Sequence, residues 1–225
     1  DNATSCSSEN SVIIVDEVFD DAIGALQAAG GYMTSPAEGQ RVVERLWIDG
    51  KLNRKVIAKD APVLADVFDL PSNASSARFF MVEETGIGPA SPLSGEKLSL
   101  VLTIYRASDF AQAKSIAHDI LEFQGKGHSL GLHTNLVERA RELAEDMDVV
   151  RVLVNQAHTF ANGGGFDTGL PFTLSMGCGS WGGNSISENL NYSHFINITH
   201  LVTSADEDKP SEEDLFSKYW EKYGL

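Results

Sequence analysis

Cys6 is the residue of this chain best suited to covalent chemistry. It lies in a short polar segment that leads directly into the apolar residues 12–15. A thiol on a loop anchored by a buried strand is held in place and remains reachable, and a nucleophilic cysteine needs both properties. The spacing alone leaves open the commoner role of a lone cysteine, which is to fill a small apolar space. The second cysteine, Cys178, stands between two glycines, and we interpret it as structural.

Glu96 and His128 are candidates for cofactor binding and proton transfer. Glu96 stands before a run typical of a strand, where a carboxylate can accept two hydrogen bonds from a ribose diol. His128 lies in the glycine-containing segment 125–134, and an imidazole changes charge near neutral pH. Each has a simpler interpretation, as an exposed glutamate and as a histidine bonded to the backbone. His133 follows His128 in this segment, but no third ligand of suitable spacing accompanies the pair, so we expect no metal site.

A long segment rich in glycine, serine and asparagine, residues 158–191, supplies the remaining candidates. Segments of this length without a periodic pattern are usually functional or disordered. Glycines let the backbone approach a ligand, while Ser, Asn and His offer polar contacts to a small polar or anionic substrate. Four residues are the candidates for substrate binding: His158, Asn162, Gly182 and Asn184. We expect the neighbouring Phe160 and Phe166 to pack in the core.

The elements that must position these residues alternate along the chain. Strands are predicted at residues 12–15, 78–82, 98–105, 130–133, 149–154 and 194–202. Helices are predicted at residues 17–29, 36–47, 61–68, 109–123 and 136–147, with another from residue 215. Strands separated by helices predict crossover connections. The fold class is therefore α/β, with a largely parallel sheet and helices on both faces.

Composition excludes several classes of function. The chain has 225 residues, of which 42% are hydrophobic, enough for one large domain with a core. Its formal net charge of −15 argues against a nucleic-acid-binding surface, because neutralising phosphates requires clustered Lys and Arg. No apolar run approaches the roughly 20 residues of a membrane helix. We expect a soluble, cytoplasmic protein with reduced thiols and neither a membrane nor a nucleic-acid partner.

Several segments together resemble the CoA-acylating aldehyde dehydrogenases. The likeness begins with residues 1–16, which contain Cys6, and includes residues 96–102, in part, and residues 125–134. It is most distinctive in residues 175–189, SMGCGSWGGNSISEN. The resemblance covers essentially the whole chain. The tail after this segment is similar to that of the acylating sulfoacetaldehyde dehydrogenases.

The resemblance implies a reaction in which an aldehyde, NAD or NADP, and CoA give an acyl-CoA and the reduced nicotinamide. It implies that Cys6 is the nucleophile, that His128 assists, and that Glu96 holds the nicotinamide ribose. The implied aldehyde is sulfoacetaldehyde, with acetaldehyde and succinate semialdehyde as alternatives. Three basic residues are candidates for attracting the CoA phosphates: Arg106, Lys114 and Lys126.

The resemblance also implies how the chain is divided. Residues 1–190 would form the catalytic domain, and residues 191–225 an oligomerisation strand and tail, giving a homodimer or homotetramer. In the family a dinucleotide-binding domain precedes the nucleophile. We therefore expect that N-terminal domain to be absent from this chain and the 225 residues alone to be inactive. The alternative from another class is a non-catalytic oligomerisation module.

Overall fold

The computed structural model describes residues 2–224 of the chain. Its strands are β1 (Ser11–Val15), β2 (Gly31–Met33), β3 (Trp47–Ile48), β4 (Lys51–Leu52), β5 (Phe79–Glu83), β6 (Val101–Ala107), β7 (Leu130–Leu132) and β8 (Val152–Val154). Its helices are α1 (Phe19–Ala28), α2 (Pro36–Leu46), α3 (Ala61–Val67), α4 (Phe110–Phe123), α5 (Val137–Asp146), α6 (His158–Asn162) and α7 (Glu212–Tyr223). None of these described helices is long and apolar enough to cross a membrane.

A parallel sheet with the strand order β1-β6-β5-β2 forms the centre of the fold. Successive side chains of a strand face opposite sides of a sheet. On β5, Phe80 and Val82 pack with α2 and α3, whereas Met81 packs with α1. Helices therefore cover both faces, and the α/β class with a largely parallel sheet is confirmed.

The second parallel pair, β7 with β8, is joined to this sheet through a shared apolar cluster. Ala117 of α4 and Leu143 of α5 are buried there, and Ile13 of β1 and Val152 of β8 pack against them. The side chain of Asp109 accepts a hydrogen bond from the backbone N–H of Gln112 and so fixes the start of α4. This cluster sets the position of β1 relative to the β7–β8 pair.

The residues from Tyr192 onward form a compact unit of their own, separate from the unit that ends at Asn191. In this second unit, Ser211 and Asp214 form a capping box that starts α7. The strand predicted at residues 194–202 is wrong for the described chain, because residues 192–195 form a short 3-10 helix and residues 197–210 have no regular structure. An extended segment becomes a strand only when a neighbour satisfies its backbone groups.

Two further expectations about burial are wrong. Within β1 only Ile14 is fully buried, although the whole strand was expected to be. Phe160 and Phe166 are 81% and 100% exposed rather than in the core. The glycines at positions 163–165 end α6 and allow the chain to turn along the surface, where the ring of Phe166 packs edge-on against Phe172 with centroids 4.8 Å apart.

Candidate active site

Cys6, Glu96 and His128 each lie before the amino end of a parallel strand. Cys6 and Glu96 precede β1 and β6, which are adjacent in the central sheet, whereas His128 precedes β7 in the second pair. Asn10 connects the first two, because its side-chain oxygen accepts a hydrogen bond of 3.0 Å from the backbone N–H of Lys97. Parallel pairing brings the segments before adjacent strands to one edge of a sheet.

Cys6 lies in a tight turn with a fixed base. The backbone N–H of Ser8 donates a hydrogen bond of 2.9 Å to the carbonyl oxygen of Ser5, which closes the turn around Cys6 and Ser7. Ser7 is buried, and Cys6 is exposed. The turn therefore presents the thiol to a reactant while its own backbone is held in place.

The start of α6 holds this turn. The ring Nδ1 of His158 lies 2.9 Å from the carbonyl oxygen of Ser7, and the hydroxyl of Thr159 donates to the same oxygen at 3.0 Å. The carboxylate of Glu9 accepts a hydrogen bond of 3.1 Å from the backbone N–H of His158. A carboxylate at this position satisfies a free donor of the first helical turn. His158, a predicted substrate residue, thus contacts the backbone of the turn that carries Cys6.

His128 belongs to a buried network that continues from this helix. Its Nδ1 lies 2.6 Å from the hydroxyl of Ser129, which accepts a hydrogen bond of 3.0 Å from the side chain of Asn162. Asn162 is fully buried, and its side-chain nitrogen also lies 3.3 Å from Nδ1 of His158. The network therefore links His128 to the residue that holds the Cys6 turn.

Burial lowers the pKa of His128, and the nearby His158 and Arg151 lower it further. His128 is therefore a neutral imidazole at neutral pH, and its buried Nε2 has no hydrogen-bond partner among the described residues. A neutral imidazole with a free nitrogen can accept a proton during a reaction. The geometry is compatible with the assisting role predicted for His128.

Arg151 is a residue of the site that the sequence analysis missed. It lies directly before β8 and is only 5% exposed. Its Nε donates to the side chain of Asn189 at 2.9 Å, and its Nη1 donates to the carbonyl oxygen of Gly177 at 3.1 Å. Asn189 in turn donates to the carbonyl oxygen of Asn162 at 2.9 Å. The signal in the sequence is a single charge inside the otherwise apolar residues 149–154.

The glycine-rich run packs against the segment that carries His128. A Cβ added to Gly127, whose φ is +90°, would lie 2.4 Å from the carbonyl oxygen of Cys178 and 2.6 Å from the backbone nitrogen of Gly182. A Cβ on Gly182 would lie 2.4 Å from the Cβ of Cys178. The side-chain oxygen of Asn184 accepts a hydrogen bond of 2.8 Å from the N–H of Cys178. Gly182 and Asn184 thus shape the loop around Cys178.

The two thiols lie within electrostatic range of each other and of Arg151. Burial raises the pKa of the half-buried Cys178, the positive charge of Arg151 lowers it, and a charge on Cys6 raises it again. Burial lowers the pKa of the Arg151 guanidinium, and ionised Cys178 and Cys6 raise it. The pKa of Arg151 therefore depends on whether Cys6 and Cys178 are ionised.

Glu96 is exposed on a loop that is fixed from its interior side. Its backbone N–H donates to the side chain of Gln124 at 2.7 Å. The next residue, Lys97, is 0% exposed, and its Nζ donates to the carbonyl oxygens of Leu93 and Gly95 at 2.7 and 2.8 Å. Burial lowers the pKa of Lys97 to about 7. The arrangement leaves the carboxylate of Glu96 facing solvent at the same sheet edge as Cys6.

The basic patch expected for CoA phosphates does not form. All three of its proposed members are paired with carboxylates: Arg106 with Asp16, Lys114 with Glu142 and Asp146, and Lys126 with Glu122 and Asp148. Each positive charge is therefore compensated locally, and the expectation is wrong. In the described part of the chain, no group of three or more His, Cys, Asp or Glu residues is arranged to hold a metal ion.

Known proteins include relatives that match this chain over its whole length. The chain is 45% identical over 225 residues to an acylating sulfoacetaldehyde dehydrogenase of Cupriavidus necator, covering 100% of this chain and 46% of that protein. It is 35% identical to an acetylating succinate-semialdehyde dehydrogenase of Clostridium kluyveri, covering 96% of this chain and 48% of the relative. The chain thus spans about half the length of the curated relatives it matches. No family model matches.

Solved structures agree with the sequence relatives. The fold superposes with a TM-score of 0.84 on an acetylating aldehyde dehydrogenase from Geobacillus thermoglucosidasius. The two are 28% identical, and the match covers 93% of this chain and 46% of the other. In sequence and in fold, the chain therefore matches about half of an acylating aldehyde dehydrogenase over nearly its whole length.

Proposed function

We propose that the protein containing this chain is an NAD(P)-dependent, CoA-acylating aldehyde dehydrogenase. The observation that carries the proposal is the exposed Cys6, in a turn whose buried base is fixed by His158 and Thr159. Sulfoacetaldehyde is the proposed substrate, because a relative that matches the whole chain at 45% identity bears that name. Acetaldehyde and succinate semialdehyde are the alternatives.

The proposed chemistry proceeds in two stages on the Cys6 sulfur. The thiolate adds to the aldehyde carbon, a C–S bond forms, and the carbonyl electrons move to oxygen to give a thiohemiacetal. Re-formation of the carbonyl then expels a hydride and leaves a thioester on Cys6. The thiol of CoA attacks this thioester, the C–S bond to Cys6 breaks, and the acyl-CoA leaves. In this stage the neutral His128 takes the proton of the CoA thiol.

The chain offers one suitable contact for a nicotinamide cofactor. The exposed carboxylate of Glu96 stands on a fixed loop and can accept both hydroxyls of a ribose diol. When bound, the nicotinamide supplies the acceptor for the hydride. Nothing in this contact selects NAD over NADP, and CoA enters as the second substrate.

The proposal is tested by replacing Cys6 in the full-length protein. Cys6→Ser keeps the size and polarity of the side chain, and we expect CoA-dependent NAD(P)H formation to fall by about 1000-fold or more, because a hydroxyl is a far weaker nucleophile. Thermal unfolding and circular dichroism of the variant serve as folding controls. Retained turnover in a folded Cys6→Ser protein would overturn the proposal. A kcat/KM panel of the three aldehydes named above identifies the substrate.

We further propose that the protein is a cytoplasmic homo-oligomer. Apolar side chains of the second unit are exposed in the single chain, among them Phe195, Ile198, Leu201 and Val202. Burying such residues against a second copy removes apolar surface from water.

A non-catalytic assembly module would use the same surface. Iodoacetamide separates the two functions, because a catalytic site predicts that Cys6 is alkylated much faster than Cys178 at neutral pH.

A further inference from the structure

Arg151 is a buried cation without a carboxylate partner in the described part of the chain. Of its guanidinium atoms, Nε and Nη1 contact Asn189 and Gly177, and Nη2 is buried without a hydrogen-bond partner. A buried charge is costly unless other groups stabilise it. An uncharged donor would satisfy both of these acceptors. The two acceptors alone therefore do not account for a full positive charge at this position.

The surroundings of Arg151 indicate what the charge acts on. Its acceptor Gly177 adjoins Met176, whose sulfur lies 3.8 Å from the hydroxyl of Ser7, the neighbour of Cys6. Arg151 also lowers the pKa of His128. Its backbone carbonyl accepts a hydrogen bond of 2.9 Å from Leu130, two residues beyond His128. Arg151 thus connects the strand pair that carries His128, through its backbone, to the glycine-rich run, through its side chain.

We propose that Arg151 is a positioning residue for the acyl transfer: it fastens the glycine-rich run to β8 and supplies a fixed positive charge beside Cys6. This inference rests on the proposed function, in which negative charge passes through the Cys6 sulfur and the bound aldehyde oxygen. Arginine suits both tasks, because its planar guanidinium holds two fixed acceptors and remains charged in a partly dehydrated site. A favourable charge held in place needs no reorganisation during the reaction.

The charge can be measured at Cys6 with two alkylating reagents. Iodoacetamide is neutral and iodoacetate is anionic, and both react with the thiolate, so the ratio of their rate constants cancels the ionised fraction of the thiol. The ratio reports the electrostatic potential at the sulfur. In the full-length protein, Cys6 and Cys178 are distinguished by mass spectrometry of their peptides.

Arg151→Met removes the charge and keeps much of the side-chain volume. We expect the iodoacetate-to-iodoacetamide ratio at Cys6 to fall by roughly threefold to tenfold, the size expected for one charge lost at close range in a partly exposed site. Arg151→Lys keeps the charge and should restore most of the ratio, although it loses the paired hydrogen bonds. The matched control is Arg141→Met, which makes the same change of net charge on the exposed face of α5.

The outcomes separate a charge effect from a packing effect. Loosening of the glycine-rich run alone changes both rate constants by the same factor and leaves the ratio unchanged, which would overturn the inference. An equal fall in Arg141→Met would also overturn it. If Arg151→Met does not fold, the comparison of Arg151→Lys with wild type decides, since a lysine ratio as low as that of free glutathione contradicts a local charge. A failure of the proposed function is recognised by a different result, namely turnover that is retained in Cys6→Ser.

Discussion

At the residue scale, the pKa of His128 is the property most directly linked to the proposed reaction. Burial lowers it, and His158 and Arg151 lower it further, so His128 is protonated at a lower pH than an ordinary histidine. Because His128 must be neutral to accept a proton, it remains able to act as a base at a lower pH than an ordinary histidine would. The acid limb of the pH–rate profile therefore reports the surroundings of His128.

Replacing His158 with glutamine should move this acid limb to higher pH, because one of the groups that lowers the pKa of His128 is removed. The measurement is kcat against pH in the full-length protein. Overall turnover should also fall, since the contact with Ser7 is weakened, but the position of the limb is independent of that loss. His118→Gln, on the exposed side of α4, is the control and should leave the limb in place. A limb that moves to lower pH in His158→Gln would contradict the assignment.

Lys97 predicts how stability depends on pH. Its pKa is about 7 in the folded chain, against 10.5 for an ordinary lysine. Below pH 7 both states are protonated, whereas between pH 7 and 10.5 the unfolded state holds a proton that the folded state lacks. The free energy of unfolding therefore rises with pH in this window, by at most about 1.4 kcal/mol per pH unit from this one residue.

Lys97→Met removes that titration, so the wild type should gain stability relative to the variant between pH 7.5 and 9.5. Urea unfolding at three pH values measures the difference. Lys114→Met is the control, because the carboxylates of Asp146 and Glu142 raise the pKa of Lys114 and both states remain protonated over this window. A difference between wild type and Lys97→Met that does not change with pH would show that Lys97 is charged throughout.

At the element scale, the critical contact lies between the backbone before β7 and the glycine-rich run. Gly127→Ala should displace that run, because the new Cβ would meet backbone atoms that cannot rotate away. Gly125→Ala is a matched control: its φ of +106° imposes the same kind of backbone strain, but its nearest neighbour is a flexible leucine side-chain atom at 3.8 Å. We expect turnover in Gly127→Ala to fall at least tenfold below that of Gly125→Ala, with faster alkylation of Cys178. Equal effects in the two variants would mean that strain alone matters.

The sequence was informative about elements with strong local signals. Pro36 and the Ser35–Glu38 capping box start α2, and its apolar residues recur at helical spacing, so the helix was predicted correctly. The short strand β2 and the β3–β4 hairpin have only two or three residues each, too few for a periodic pattern. The strand predicted at 194–202 failed for the opposite reason, since its pattern is clear but no partner strand lies beside it in the described chain.

The residues of the site also differ in whether their neighbours in sequence reveal them. Cys6 and His128 stand in segments whose composition is itself unusual, so the sequence predicts them as candidates. Arg151 lies directly before an ordinary strand, and its importance depends on contacts with Gly177 and Asn189, which are 26 and 38 residues away. No local pattern encodes such contacts.

At the scale of the whole molecule, net charge and exposed apolar surface have opposite effects on the association of copies of the chain. A formal net charge of −15 makes copies of the chain repel each other, whereas the exposed apolar side chains of the second unit favour association. If residues 194–202 pair as a strand with another copy, Ile196, Ile198 and Val202 would share one face, and Phe195 and Leu201 the other. The strand missing from the single chain would then form in the oligomer.

Ile198→Asp should therefore weaken the oligomer, because the carboxylate would be buried among apolar side chains of the partner. Ile198 is 67% exposed in the single chain, so the substitution costs the unassembled fold little. Sedimentation velocity should show a shift to smaller species in Ile198→Asp and little change in Ser204→Asp, which adds the same charge at an exposed position outside this segment. Salt provides a second test: screening the repulsion between copies should strengthen wild-type assembly as ionic strength rises. Equal dissociation by the two substitutions would show that added charge, rather than a buried apolar face, controls assembly.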